Sequence, residues 1–142
     1  MTGIRVSDLV ALDRLDLDVS DLKGSLIVRL GKGNKEGTLP LNVEARRVIE
    51  RYLEERTDSN PALFISSRQE RISIRSVQYL LEKNGHNAHQ TRHSFITGLV
   101  RAGEDISVIQ SLSGHSSADM ILRYSMPSEE DKQKAVDNIF KD

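Results

Sequence analysis

From Asn42 to the end of the chain the apolar residues recur at helical spacing, and no other feature constrains the fold as much. Ala45, Val48, Ile49, Tyr52 and Leu53 form one stripe, and Ile74, Val77, Leu80 and Leu81 form a second. A third runs through Phe95, Ile96, Leu99 and Val100, and a shorter one through Ile106, Ile109 and Leu112. Residues three and four apart share one face of a helix, so each stripe predicts a helix that buries one side. The boundaries carry their own chemistry. Asn42 and Ser73 can accept hydrogen bonds from the first turns that follow them. Asn84-Gly85, Gly103 and Gly114 are stop signals. After Pro127, Ser128 and Asp131 are spaced as a capping box ahead of Ala135, Val136, Ile139 and Phe140.

The first forty residues read differently. Ile4, Leu9 and Leu12 suggest a short helix over 4–12, and the run Ser25 to Leu30 suggests a strand. Gly31-Lys32-Gly33-Asn34 is a turn signal, and Gly37 to Leu41 returns as a second strand. Together they predict a β-hairpin with a lysine at its tip. Thr57 to Pro61 reads as a loop, followed by a short extended piece at Leu63 to Ile65. The expected fold is α+β, mainly α-helical, with one small antiparallel β-sheet. Without a repeat or a linker-like tract, residues 1–142 are expected to form a single domain. A hydrophobic fraction of 37% supplies one core, built on Leu, Ile and Val because aromatics make up only 4%. The absence of Cys excludes disulfides and thiolate metal sites. With no leader-like start and no long apolar run, a soluble cytoplasmic protein is expected.

The net charge is -1, but its distribution is uneven. Asp8, Asp13, Asp16, Asp18 and Asp21 crowd the start, and Glu129, Glu130 and Asp131 follow Ser128. Arg68, Arg71, Arg75, Lys83, Arg92 and Arg101 in the middle face only Glu70 and Glu82. That middle segment can lie along a phosphate backbone or form a solvated helix face, and charge alone does not separate the two.

Five short features then recur in order: Thr2-Gly3-Ile4-Arg5, Gly31-Lys32-Gly33-Asn34-Lys35, His89-Gln90-Thr91-Arg92, Gly114-His115 and, nine residues further on, Tyr124. Each residue has an ordinary explanation when taken singly. An arginine is commonly one half of a surface ion pair, a tyrosine edges a core, and a lysine keeps a turn soluble. As a set they suit phosphoryl transfer. A guanidinium stays charged and fits two phosphate oxygens with its planar fork. Arg92 lies three residues after His89, so both share a helix face. A phenol titrates near pH 10 and needs neighbouring cations or a proton acceptor before it can attack.

In this order and spacing the features resemble the catalytic domain of the tyrosine recombinase (phage integrase) family, over nearly the whole chain from Thr2 to about Tyr124. The resemblance implies one active site made of Arg5, Lys32, His89, Arg92, His115 and Tyr124, with no metal and no cofactor. Tyr124 would attack a DNA phosphodiester, form a 3′-phosphotyrosine and release a 5′ hydroxyl. The family pattern selects Lys32 over Lys35 as the general acid for that hydroxyl. His89 and His115 would donate hydrogen bonds to the phosphate or exchange protons with Tyr124. Asp8, one turn after Arg5, would orient an arginine or support the fold. Zinc binding by His86, His89 and His93 is not expected, because the Glu of a His-Glu-x-x-His motif is missing.

The implied function is site-specific DNA recombination, as integration, excision or resolution. Relaxation of DNA in the manner of a type IB topoisomerase is the alternative in the same chemistry, and a truncated remnant that binds DNA or partners without catalysis is the alternative outside it. The implied partners are double-stranded DNA and further copies of the chain, as a homotetramer on DNA when full length and as a monomer in isolation. The implied location is cytoplasmic, at the nucleoid. Family members begin earlier, with a helical domain that clamps the DNA. The chain is therefore expected to be an N-terminally truncated catalytic domain, its last helix docking either on a neighbouring copy or on its own core.

Overall fold

The computed structural model describes residues 3–30, 35–113, 121 and 127–139. Helix α1 (Val6–Ala11) leads through a 3-10 turn (Arg14–Asp16) into strands β1 (Leu17–Val19), β2 (Gly24–Leu30) and β3 (Lys35–Pro40). Helices α2 (Val43–Glu54), α3 (Ile74–Lys83), α4 (Ala88–Arg101), α5 (Ile106–Ser113) and α6 (Glu129–Ile139) follow. The fold is thus mainly helical with a small antiparallel sheet, as expected. The hairpin strands pair in the register Ser25 opposite Pro40 and Arg29 opposite Glu36. β1 adds a third strand, Leu17 opposite Leu26, which the sequence did not announce. Three residues beside an aspartate-rich run are too few to display a period of two.

Strand alternation sends Leu26 and Val28 inward and Arg29 outward. They join Leu12, Leu39, Leu41, Ile49 and Leu63 in one buried cluster, against which Ala45 and Leu53 of α2 pack. A second, smaller cluster consists of Ile96, Ile109 and Ile121, with Phe95, Leu99 and Val100 packed on it.

The caps form where expected. The Asn42 side chain accepts from the Ala45 N–H at 2.8 Å, and Ser73 accepts from the Ser76 N–H at 3.1 Å. Ser128 and Asp131 complete their box, with N–H donations of 2.9 Å to Asp131 Oδ2 and 3.1 Å to Ser128 Oγ. Two of the predicted helices bury less than their apolar stripes imply. Val48 is exposed, and Arg46, two residues earlier, is buried. The Arg46 stem lies over Gly24, where a Cβ would overlap it, and its Nη1 donates to the Ser20 carbonyl at 3.3 Å. A long aliphatic stem can be buried while its charged end finds a carbonyl, so a stripe of apolar letters misses it. Helix α3 buries none of its residues, and Ile74 and Leu80 are exposed. No described residue of α6 is buried either, with Val136 and Ile139 exposed; Phe140 lies outside the described residues. Periodicity reports which residues share a face, not what covers it.

Arginines fasten the loops. The buried Arg56 side chain donates to the Ala62, Leu63 and Asn60 carbonyls at 2.7, 2.8 and 3.1 Å. It also grips Asp58 through Nε at 2.8 Å and Nη2 at 2.6 Å. That hydrogen-bonded guanidinium holds the Asp58 carboxyl well below the usual carboxylate range. Arg71 donates to the Val10 and Leu12 carbonyls at 3.0 and 2.9 Å and pairs with Asp13.

Candidate active site

Arg5 occupies the N-cap position of α1, with extended backbone, and its carbonyl accepts from the Leu9 N–H at 2.9 Å. The chain reaches it through Gly3, which is buried and holds a φ of 46°. A side chain there would be strained and would overlap the Phe95 ring, so only glycine fits between α1 and α4. Ile4, next along, packs on the sheet-side core. Two restraints therefore fix where Arg5 leaves the surface.

Helix α4 supplies the other wall. The Asn87 side chain accepts from the His89 N–H at 2.8 Å and caps the helix one residue before Ala88. His89 is exposed and Arg92, on the same face, is half-buried. Arg5, His89 and Arg92 line one cleft of about 380 Å³, together with Gln78, Glu82 and Asn87. The cleft is open to solvent, with Arg5 and His89 exposed in its wall.

Arg92 does more than line it. One terminal nitrogen donates to the Gly3 carbonyl and the other to the Ser113 carbonyl. Ser113 is buried and ends α5, directly before Gly114-His115. A single guanidinium therefore ties together the segment that presents Arg5, the helix that presents His89, and the end of α5. Asp8 completes the electrostatics. Partial burial pushes its carboxyl above the usual aspartate value, against the opposing pull of Arg5 and then Arg92. Its charge interacts with both arginines.

Of the six expected site residues, the structure brings Arg5, His89 and Arg92 together. Lys32, His115 and Tyr124 lie outside the described residues. Sequence reading missed Gly3 as a packing position, Asn87 as a cap, and Gln78 and Glu82 as cleft walls. The last two had a signal, since residues four apart on the polar side of a helix point the same way. Two guanidiniums and an imidazole around a solvent-open cleft suit the non-bridging oxygens of a phosphodiester.

A model of the phage integrase family matches residues 1–131. The chain belongs to the phage integrase family. Among relatives of this family, it is 38% identical over 145 aligned positions to the tyrosine recombinase XerA of Pyrococcus furiosus, covering 96% of this chain and 50% of XerA. It is 36% identical over 153 positions to the tyrosine recombinase XerC of Myxococcus xanthus, again covering 96% and 50%. The chain thus spans about half the length of the curated relatives it matches. A crystal structure of XerA recombinase superposes with a TM-score of 0.80 at 26% identity, over 99% of this chain and 55% of that one. The Tn1549 transposon integrase, solved with circular intermediate DNA, shares the fold at a TM-score of 0.79 and 18% identity, over 97% and 55%. Among the described residues no helix is long and apolar enough to cross a membrane.

Proposed function

We propose that residues 1–142 form one catalytic domain that cleaves and rejoins double-stranded DNA in site-specific recombination. One observation carries the reading. Arg5 and Arg92, from distant parts of the sequence, line one cleft with His89. In the proposed step the Tyr124 phenolic oxygen bonds to phosphorus and the bond from phosphorus to the 5′ oxygen breaks. Lys32 gives the leaving oxygen its proton, and the phenol's proton passes to a histidine or to solvent. Arg5 and Arg92 balance the charge that grows on the non-bridging oxygens, while His89 and His115 hydrogen-bond the same group. The phosphotyrosine keeps the energy of the broken diester, so a 5′ hydroxyl can reverse the step without ATP. The active form would be a homotetramer on DNA, acting in the cytoplasm at the nucleoid.

The test is a covalent adduct. The chain, and the same chain joined behind the N-terminal half of a longer relative, would be mixed with nicked duplexes from DNA flanking its gene, without ATP. An SDS-resistant adduct that disappears in Tyr124→Phe is the expected result. No adduct from either form would leave a DNA- or partner-binding role in its place. Relaxation of plasmids of any sequence would favour the topoisomerase-like alternative.

A further inference from the structure

Asp16 is the one buried carboxylate among the described residues, and nothing in the cleft uses it. It sits in the 3-10 turn before the sheet, where its Oδ2 accepts from the Asp13 N–H at 2.8 Å. Its other partner is Arg29, whose Nη1 and Nη2 donate to Oδ2 and Oδ1 at 3.3 and 3.2 Å. The Asp16 carboxylate is buried whereas the Arg29 side chain is 59% exposed, so the guanidinium reaches in from the rim to meet a charge that is costly to leave alone. Arg29 also stands directly across the ladder from Glu36, with Nε 3.9 Å from its Oε1.

The position of Arg29 gives the pair its consequence. Only the Leu30–Lys35 pair separates Arg29 from the four residues that join β2 to β3, and Lys32 is among those four. A two-stranded ribbon twists and bends readily, and here only one of its faces meets a core. The Arg29–Asp16 contact fixes the hairpin, near its turn end, to the body of the molecule from its outer face. The same polar chain runs on through Asp13 to Arg71, and from Arg71 to the carbonyls of Val10, in the last turn of α1, and Leu12, just after it. Arg5 is the N-cap of helix α1. The turn end of the hairpin and the helix capped by Arg5 therefore share one framework.

We propose that Asp16 and Arg29 are positioning residues for strand cleavage, aligning the β2–β3 hairpin so that Lys32 meets the leaving 5′ oxygen. The assignment rests on the reading of Lys32 as general acid. Proton donation is sensitive to placement, because a donor an ångström out of line loses most of its effect.

A leaving-group swap tests it. Cleavage would be timed on two DNA substrates, one ordinary and one with sulfur replacing the bridging 5′ oxygen. A thiolate leaves without a proton, so this substrate needs no general acid. Arg29→Gln and Asp16→Asn are expected to slow the ordinary substrate by roughly tenfold to a hundredfold and to leave the sulfur substrate near the wild-type rate. Arg29→Lys, which keeps the charge, should recover part of the loss. Equal slowing of both substrates, or no slowing of either, overturns the positioning assignment. Lys32→Ala, run beside them, separates the two levels. If sulfur rescues Lys32→Ala but not Arg29→Gln, the general acid stands and the positioning role fails. If sulfur does not rescue Lys32→Ala, both fall.

Discussion

Around the sheet, seven buried apolar residues are backed by Arg29, Arg56 and Arg71, each bonded to buried carbonyls or carboxylates. The α4–α5 side closes on Ile96, Ile109 and Ile121, and Arg92 ties it through the Gly3 and Ser113 carbonyls. The first region spends its arginines on holding loops in place, away from the cleft. In the second, the residue that ties the backbone is also a wall of the cleft. Stability and chemistry are separable on one side and joined on the other. Among the described residues this buried cluster is the smaller, and a smaller core opens more readily, so α4 and α5 are expected to belong to a less stable unit than the sheet.

The largest effect should come from the sheet side. Arg56→Met strands three carbonyls and leaves the Asp58 carboxylate only Arg14 and the Asn60 N–H, and a cost of about 4 kcal/mol is expected in urea unfolding. A cost below about 1 kcal/mol would mean that the brace is redundant and the contrast between the regions overstated.

Next is Ile109→Ala, at about 3 kcal/mol for the buried methyl groups and the cavity they leave. Native-state hydrogen exchange should locate the damage. Amides of α4 and α5 should exchange faster while those of α2 and β2 hold. A uniform rise would show one cooperative unit and remove the distinction.

Arg92→Lys should cost about 2 kcal/mol, since one ammonium cannot serve the Gly3 and Ser113 carbonyls in the same geometry. The sharper prediction is that covalent adduct formation falls further than stability does. A variant that loses stability but still forms adduct at the wild-type rate would separate the tie from the chemistry.

The last effect, and the most pH-dependent, concerns Asp58. Its folded-state carboxyl is depressed, chiefly by the hydrogen bond from Arg56. The stabilisation is therefore complete above the unfolded value, near pH 4, and is lost as the pH falls from there toward the folded value. Melting temperatures of the wild type should drop on that acid side, and Asp58→Asn should flatten the drop. An unchanged acid limb would place the titration elsewhere.

Much of the secondary structure could be read in the chain because its signals are local. Asn42, Ser73 and Ser128 sit within three residues of the N–H groups they meet. Asp13 and Asp16 could only be read as part of an acidic cluster. Their partners Arg71 and Arg29 lie 58 and 13 residues away, and no local pattern pairs them. The same holds in the cleft. The order of short motifs pointed to Arg5, His89 and Arg92, whereas the seat of Gly3 against Phe95 and the donation of Arg92 to Ser113 depend on contacts between separate elements.

By itself the sequence determined the mainly helical class, the hairpin, the caps and the family. These follow from spacing, turn chemistry and motif order, which survive without knowledge of what each face meets. Only the tertiary structure decided that Arg46 is buried and Val48 is not, that α3 lies largely open, and that Arg92 braces the cleft it lines. Burial and long-range hydrogen bonds depend on what lies across the gap between elements, and a carbonyl has no letter in the sequence.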